Sequence, residues 1–247
     1  MKVLAVVSIK GGVGKTASAV NLAYEASRTG ARVLVWDLDA QGSATYLLRV
    51  RQRLAGGGAH GLVAAGGELG RHVRATTHPG LHVLPGDLSL RFLDRELDAA
   101  GKPRRRVGAL LRPLRASYDL AVIDCPPGAS LAIESVLRAA DALLVPVVPT
   151  TLAMRTLEQF EHIVATRRRP PTLLAHVSML DRRKTLQRRT VEELAARPGT
   201  LATVVPNASV VERMGPERAP VAVFAPRSVA AAAYERLWQE LAVQLWP

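Results

Sequence analysis

The stretch that decides the fold is Lys10-Gly11-Gly12-Val13-Gly14-Lys15-Thr16, a glycine-rich loop. Residues 2–8, before the loop, are mostly apolar and predict a buried strand. Residues 15–28, after it, have a helical pattern that places Val20 and Tyr24 on one face. A strand, a glycine loop and a helix in this order are the setting of a phosphate-binding loop.

The residues of this loop suit a nucleotide. Its glycines let successive backbone N–H groups turn inward around phosphates, and the amino end of the helix adds positive potential. Lys15 would contact the β- and γ-phosphates of ATP, and the Thr16 hydroxyl would ligate Mg²⁺. The predicted nucleotide-binding residues are Gly11, Gly12, Val13, Gly14, Lys15, Thr16 and Ala17. The alternative is a glycine-rich turn that binds no ligand.

Further apolar strands alternate with helical patterns along the chain. We expect strands at residues 32–36, 81–84, 119–123, 142–146, 173–179 and 201–205. We expect helices near residues 87–100, 104–116, 129–139, 151–166, 184–196 and 228–245. This alternation, with the phosphate loop, predicts an α/β P-loop NTPase whose mostly parallel β-sheet is covered by helices on both faces. We expect residues 1–247 to form one domain, with a flexible Gly/Ala-rich loop at 54–70 that has room for a short helix.

The composition limits the classes of site and partner. With 48% hydrophobic residues among 247, the chain is long enough for a full core. A single cysteine, Cys125, cannot build a disulfide framework within one chain, and we expect it to be a small buried residue. The net charge of +12 favours a polyanionic partner, although a solvated arginine-rich surface is the alternative. The single cysteine favours a reducing cytosol. No apolar stretch approaches the roughly 20 residues that cross a bilayer, so we expect a soluble, cytoplasmic protein.

An acidic residue ends one of the most apolar predicted strands. Residues 118–123 are followed by Asp124 and then by Cys125-Pro126-Pro127-Gly128, a rigid turn. This is the Walker B arrangement, in which the carboxylate serves the metal. Since Mg²⁺ keeps much of its hydration shell, we expect Asp124 to hold it through water.

The sequence from Lys10 to Thr16 resembles the deviant Walker A motif of the ParA/MinD ATPase superfamily. In that family the additional lysine, here Lys10, reaches the phosphates of the ATP held by the other subunit, so the resemblance implies an ATP-dependent homodimer. A cation there would stabilise charge that develops as the γ-phosphate is cleaved, as an arginine finger does. This chain departs from the family at Ala17, where relatives often have a hydroxyl that contacts the α-phosphate.

Two later segments extend the resemblance. The sequence Asp37-Leu38-Asp39-Ala40-Gln41-Gly42-Ser43-Ala44-Thr45 is similar to a ParA switch, with Ala40 in place of a proline. The match implies that Asp39 positions or polarises the attacking water and that Asp37 lies near the metal; the alternative is two carboxylates that cap a turn. Pro206 and Asn207 match a loop that contacts adenine in ParA proteins. The resemblance thus implies catalysis by Lys10, Lys15 and Asp39, and metal binding by Thr16, Asp37, Asp39 and Asp124.

A basic run follows in the second half of the chain. It comprises Arg182, Arg183, Lys184, Arg188 and Arg189, with Arg213 and Arg218 further along. The run lies at the amino end of a predicted helix, where positive charge opposes the helix dipole, so helix stability does not explain it. We expect these residues to bind DNA phosphates nonspecifically and with strong salt dependence. A solvated basic face is the alternative.

Together these features predict a nucleoid-associated ATPase that segregates or positions a cargo and is stimulated by a cargo adaptor. The main alternative is a MinD-like membrane-positioning ATPase, which needs a basic amphipathic tail. Tyr234, Leu237, Trp238, Leu241 and Leu245 recur at helical spacing with Arg236 as the one base among residues 234–247, which favours packing against the core. An iron–sulfur relative would need more cysteines. A metabolic kinase or synthetase that uses the same loop is the third alternative.

Overall fold

The computed structural model describes residues 1–64, 68–181 and 183–246. Its strands are β1 (Lys2–Val6), β2 (Val33–Asp37), β3 (Arg74–Ala75), β4 (Leu81–Leu84), β5 (Leu120–Asp124), β6 (Ala142–Val147), β7 (Thr172–Leu180) and β8 (Thr200–Pro206). Its α-helices are α1 (Lys15–Arg28), α2 (Ser43–Leu47), α3 (Gly58–Ala64), α4 (Leu93–Ala99), α5 (Arg106–Leu111), α6 (Leu131–Ala139), α7 (Thr151–Ala165), α8 (Thr185–Ala195), α9 (Ser209–Glu212), α10 (Met214–Glu217), α11 (Val221–Phe224) and α12 (Val229–Leu245).

The strands form one sheet in the order β3-β4-β2-β5-β1-β6-β7-β8. Every neighbouring pair is parallel except β3 and β4. Strand β1 lies between β5 and β6, so the loop that follows β1 is at the middle of the carboxyl edge of the sheet. The predicted α/β fold with a mostly parallel sheet is confirmed.

Side chains of β1 alternate between two hydrophobic cores, one on each face of the sheet. Val3 and Ala5 belong to the core that also includes buried residues of helices α3 to α8. Leu4 and Val6 belong to the core that contains residues of α1, α2 and α12. Since a fully buried leucine stabilises the fold by about 2 kcal/mol, these cores hold β1 and α1 firmly on either side of the glycine loop.

The structure differs from the sequence expectation in several short elements. The helix expected at 104–116 is broken into α5 between two 3₁₀ turns, because Pro113 cannot donate a hydrogen bond within a helix. The stretch 54–70 contains α3, in which Leu62 is fully buried, while residues 65–67 lie outside the described part of the chain. Strand β3 and helices α2, α9, α10 and α11 were not expected, since two to five residues are too few to show a periodicity.

Candidate functional site

The glycine loop connects β1 to α1 as predicted, and two of its glycines have left-handed backbone conformations. Gly12 has φ 72° and Gly14 has φ 92°, which residues with a Cβ rarely adopt. A Cβ on Gly14 would also lie 2.8 Å from Ser178 Oγ. Ser178, at the end of β7, donates a hydrogen bond to the Val13 carbonyl oxygen at 2.9 Å. Strand β7 therefore fixes the loop from the side, and only glycine fits at position 14.

Lys15 and Thr16 open helix α1 at the bottom of a pocket of about 360 Å³. The Lys15 side chain is buried, and its Nζ donates to the Lys10 carbonyl oxygen at 3.3 Å. First-turn N–H groups of a helix have no intrahelical partner and carry positive potential. A buried ammonium and a helix amino end thus converge on one small volume, which suits the charge of a polyphosphate.

Two carboxylates end neighbouring strands beside this loop. Asp37 of β2 and Asp124 of β5 are paired in the sheet register, and both are buried. Burial raises the pKa of Asp124 to about 8; the charge of Asp37 acts in the same direction, and the nearby Thr16 hydroxyl and the charge of Lys15 act against it. Burial also raises the pKa of Asp37 to about 6. Two acidic groups are therefore held close together at a cost in free energy.

The environments of the two carboxylates differ in a way that concerns metal binding. Asp37 Oδ2 accepts hydrogen bonds from the Thr45 amide (2.8 Å) and the Thr45 hydroxyl (2.7 Å). Both oxygens of Asp124, by contrast, are buried without a hydrogen-bond partner among the described residues. A buried carboxylate in that state fits a cation, since a cation offsets the cost of desolvation. Direct contact of Asp37 with a metal stays a prediction.

The donor set around Asp124 fits Mg²⁺. Within the described part of the chain, no group of three or more His, Cys, Asp and Glu side chains could hold a metal on its own. Mg²⁺ is commonly held by one or two protein oxygens together with phosphates and water, which matches a site made of Asp124 and the Thr16 hydroxyl. The chain would thus bind the metal together with a phosphate ligand.

Asp39 faces the pocket from the loop that follows β2. Its Oδ1 accepts a hydrogen bond from the Gln41 amide at 2.9 Å. The Gln52 side-chain amide donates to the carbonyl oxygens of Gln41 (3.2 Å) and Gly42 (2.7 Å). The position of Asp39 is therefore set by a loop that is held by one residue further along the chain, Gln52.

The opposite wall of the pocket contains the residues for which an adenine contact is predicted. Pro206 and Asn207 line it, and the Asn207 amide donates to the Leu180 carbonyl oxygen at 3.0 Å. Sequence reasoning missed other lining residues: Ser178, Met179, Glu212 and Tyr234. Ser178 and Met179 lie at the carboxyl end of β7. Because parallel sheets bind ligands at that edge, their position at the end of a predicted strand could have identified them.

Lys10 lies at the rim of this site. Its amide donates to Ser8 Oγ at 3.2 Å, its carbonyl accepts from Lys15, and its side chain is half-buried. The structure gives the Lys10 ammonium no hydrogen bond or ion pair within the described residues. The contact of Lys10 with a second subunit stays a prediction.

The predicted DNA-binding residues fall into two places, on opposite faces of the sheet. Lys184, Arg188 and Arg189 are exposed at the amino end of α8, and Arg183 pairs with Asp181 at 2.9 Å. Arg182 lies outside the described residues. Arg213 instead pairs with Glu217 at 2.7 Å, and the Arg218 guanidinium lies 4.5 Å from the centre of the Tyr46 ring. Arg213 and Arg218 therefore do not join the basic run, and DNA binding by either group stays a prediction.

The apolar stripe of α12 is packed against the core, as predicted. Tyr234, Leu237, Trp238, Leu241 and Leu245 are all buried. No helix in the described ranges is long and apolar enough to cross a membrane. Cys125 is also buried, and burial raises the pKa of its thiol well above the usual range, which agrees with a structural role.

Comparisons with known proteins agree with this geometry. A family model described as an AAA domain matches residues 1–171. The chain is 34% identical to the chromosome-partitioning ATPase Soj of Thermus thermophilus. This alignment of 250 residues covers 96% of this chain and 94% of the relative. It is 29% identical over 248 residues to the sporulation initiation inhibitor protein Soj of Bacillus subtilis, with 98% of each chain covered.

Solved structures show the same fold. Cobyrinic acid a,c-diamide synthase from Mycobacterium smegmatis, with a bound ATP analogue and magnesium, is 26% identical with a TM-score of 0.81, over 98% of this chain and 94% of that one. The cell division ATPase MinD of Pyrococcus furiosus is 22% identical with a TM-score of 0.79, over 98% and 99% of the two chains. With the phosphate loop, the paired carboxylates and the Soj relatives in agreement, the chain belongs to the ParA/MinD family of P-loop ATPases.

Proposed function

We propose that this ParA/MinD family member binds and hydrolyses ATP with Mg²⁺, dimerises around the nucleotide, and holds DNA nonspecifically to segregate or position a cargo. The observation that carries the proposal is that Lys15, Thr16, Asp39 and Asp124 lie at the carboxyl edge of the sheet. Lys10 lies beside them, with its carbonyl oxygen bound to Lys15 Nζ. The Soj relatives support partitioning as the purpose. A cargo adaptor that stimulates hydrolysis completes the proposed cycle.

Each residue has a separate task in this proposal. Lys15 and the first-turn amides of α1 neutralise phosphate charge, and Asp124 with Thr16 holds the metal. Bound Mg²⁺ supplies charge stabilisation at the phosphate oxygens. One carboxylate oxygen of Asp39 accepts a hydrogen bond from the Gln41 amide, and the other oxygen can orient a water toward the γ-phosphate. Lys10 of each subunit stabilises charge on the ATP held by the other.

The nucleotide and the DNA are coupled in this cycle, and the coupling can be tested. Wild-type protein and a Lys15→Ala variant are compared for binding to a labelled duplex of arbitrary sequence, each with and without ATP and Mg²⁺. We expect ATP to strengthen binding by the wild type and to leave the variant unchanged. A Lys2→Ala variant, altered at the other edge of the sheet, is the matched control and should respond to ATP. Equal DNA binding by all proteins under all conditions would falsify the coupling.

The metabolic alternative has a separate test, because one solved neighbour is a diamide synthase. An ATP-dependent synthetase turns over only when its small-molecule substrate is present. ATP hydrolysis that rises with DNA and a partner protein, and that needs no acceptor molecule, supports the partitioning function. Hydrolysis that stays at zero under those conditions points to the synthetase class.

A further inference from the structure

A second basic surface lies between the loop that follows α2 and strand β3, at one end of the sheet. It surrounds a cavity of about 660 Å³ whose lining includes four arginines: Arg49, Arg51, Arg53 and Arg74. We call it the arginine pocket. It shares no lining residue with the nucleotide pocket. The arginine pocket is therefore a separate feature of the molecule.

Two of the four arginines are fixed and two are free. The Arg49 guanidinium donates to the carbonyl oxygens of Glu217 (2.9 Å) and Arg218 (3.1 Å). One Arg74 nitrogen donates to the carbonyl oxygens of Arg71 (2.7 Å) and Val73 (2.9 Å). The side chains of Arg51 and Arg53 are exposed and make no hydrogen bond within the described residues. The fixed pair shapes the pocket, and the free pair can reach a ligand.

Among the described residues, no carboxylate pairs with the charges of the pocket. None of the four arginines forms an ion pair with a carboxylate in the part of the chain that the structure describes. Nearby histidines respond to this charge: the pKa of His78 is lowered by burial and then by Arg49, and the pKa of His72 by burial and then by Arg71 and Arg74. Concentrated positive potential in a concave site attracts anions.

The lining also indicates which anion fits. Its larger apolar side chains, Val50 and Leu54, are buried, so they offer no exposed anchor of the kind that protein partners use. Gly56, with φ 58°, adds a stretch of wall without a side chain. Guanidinium groups pair with phosphate through two parallel hydrogen bonds. A phosphate-rich ligand therefore fits better than an acidic peptide.

We propose that the arginine pocket binds phosphate groups of a nucleic acid backbone, as a contact separate from the basic run at α8. The inference rests on the proposed function in one respect, the binding of DNA, and assigns part of that binding to different residues. The order of the strands places β3 and β4 at one end of the sheet and β7 and β8, which flank α8, at the other. The two surfaces can therefore be altered independently.

The test measures the affinity for a labelled duplex of arbitrary sequence over a range of salt concentrations, in the presence of ATP and Mg²⁺. Three double variants carry the same change in charge: Arg51→Gln with Arg53→Gln in the pocket, Arg188→Gln with Arg189→Gln at α8, and Arg112→Gln with Arg115→Gln as a control at exposed positions outside both surfaces. We expect the pocket variant to bind roughly tenfold more weakly and its salt slope to fall by about 2, because two phosphate contacts are lost. Melting temperatures establish that each variant is folded.

The outcomes separate the inference from the function on which it rests. Weakening by the pocket variant, with or without weakening by the α8 variant, supports the arginine pocket. Weakening by the α8 variant alone overturns the inference and leaves the proposed function intact. Absence of DNA binding by the wild type overturns both. A labelled polyglutamate that binds the wild type through Arg51 and Arg53, while the duplex does not compete, would identify an acidic protein partner instead and overturn the nucleic acid assignment.

Discussion

At the scale of single residues, the site contains a carboxyl group whose charged form the fold alone does not favour. Asp124 is buried between β1 and β2 without a hydrogen-bond partner among the described residues, and Asp37 lies beside it. Burying an unpartnered charged group costs more than burying a neutral one. Such a cost is expected where a ligand later supplies the missing partner.

Replacing this charge should separate stability from function. We expect Asp124→Asn to raise the free energy of unfolding of the nucleotide-free protein by on the order of 1–2 kcal/mol. Burial raises the pKa of Asp124 to about 8, so folding at neutral pH must protonate a carboxyl that is ionised in the unfolded chain, and an amide avoids this cost. We expect the same variant to lose the increase in ATP affinity that Mg²⁺ gives. Denaturant unfolding and ATP titration with and without Mg²⁺ measure the two effects.

The matched control is Asp119→Asn, at the other end of the same strand. Asp119 is exposed, and its hydrogen bonds to Arg32 lower its pKa to about 2. Its replacement should destabilise the protein slightly and leave the magnesium effect unchanged. A magnesium effect that survives in Asp124→Asn would show that Asp124 does not serve the metal.

A buried histidine gives stability a specific dependence on pH. His176 of β7 lies 3.3 Å from Ser18 Oγ of α1 and 3.1 Å from the Val177 carbonyl oxygen, and burial lowers its pKa to about 4. An unfolded histidine titrates near 6.5, so between about 6.5 and 4 the unfolded chain binds the extra proton and stability falls with falling pH. The loss approaches roughly 3 kcal/mol at pH 4.

The variant His176→Gln should remove this part of the pH dependence. Its free energy of unfolding is measured in urea between pH 7 and pH 4 and compared with that of the wild type, and the difference should shrink as the pH falls. His60→Gln is the control, because His60 is exposed and pairs with Glu96 instead. Parallel curves for wild type and His176→Gln across this range would contradict the assignment.

At the scale of elements, the long periodic segments were predictable and the short ones were not. The seven predicted strands and the helices α1, α7 and α12 are present, because buried runs and helical stripes of that length show in the sequence. The loop from Lys10 to Thr16 was enough to predict which edge of the sheet would bind a nucleotide, since the spacing of its glycines is that of a phosphate-binding loop. The hydrogen bond from Ser178 to Val13 and the bonds of Gln52 were not predictable, because they join residues by tertiary contact.

The segment between β2 and α3, which includes α2, offers a test of how Asp39 is positioned. Gln52 holds the carbonyl oxygens of Gln41 and Gly42, and a Cβ on Gly42 would lie 2.8 Å from the Gln52 side chain. We expect Gln52→Ala to lower kcat for ATP hydrolysis severalfold with little change in KM, because the loop that positions Asp39 loses its support while the phosphate loop is untouched. Steady-state kinetics measure both constants.

The control for this element is Gln239→Ala, an exposed position on α12, where both constants should stay unchanged. A rise in KM without a fall in kcat would mean that Gln52 supports nucleotide binding and not the position of Asp39. Gln52 is in either case a positioning residue, since its amide contacts the loop and not the pocket.

At the scale of the whole molecule, basic side chains gather at several places around the sheet. The arginine pocket lies at the β3–β4 end, and the basic run lies at α8. A third group, formed by Arg138 with residues 167–169, lies where α6 and α7 end, and the negative ends of those helices account for it. The first two groups have no such local explanation, so they are the surfaces at which the proposed polyanion would bind.

Thermal unfolding can test whether ATP joins two copies of this chain. A ligand at about 100 times its Kd adds roughly 2.7 kcal/mol, which for a chain of this size raises Tm by about 5–10 °C. If ATP also joins two subunits, Tm with a slowly hydrolysed ATP analogue and Mg²⁺ should rise further with protein concentration, because dimerisation obeys mass action. Without nucleotide, Tm should not depend on protein concentration.

Lys10 separates nucleotide binding from assembly in this measurement. Its side chain has no partner in the described residues, and Lys15 Nζ binds its backbone carbonyl oxygen, which alanine also provides. Lys10→Ala should therefore keep the shift in Tm that the analogue causes. It should lose the dependence on protein concentration, because the missing ammonium is the group proposed to reach the other subunit. Lys2→Ala, at the amino end of β1, should keep both effects. A concentration dependence that persists in Lys10→Ala would place the interface elsewhere, and a lost shift would place Lys10 in its own subunit's site.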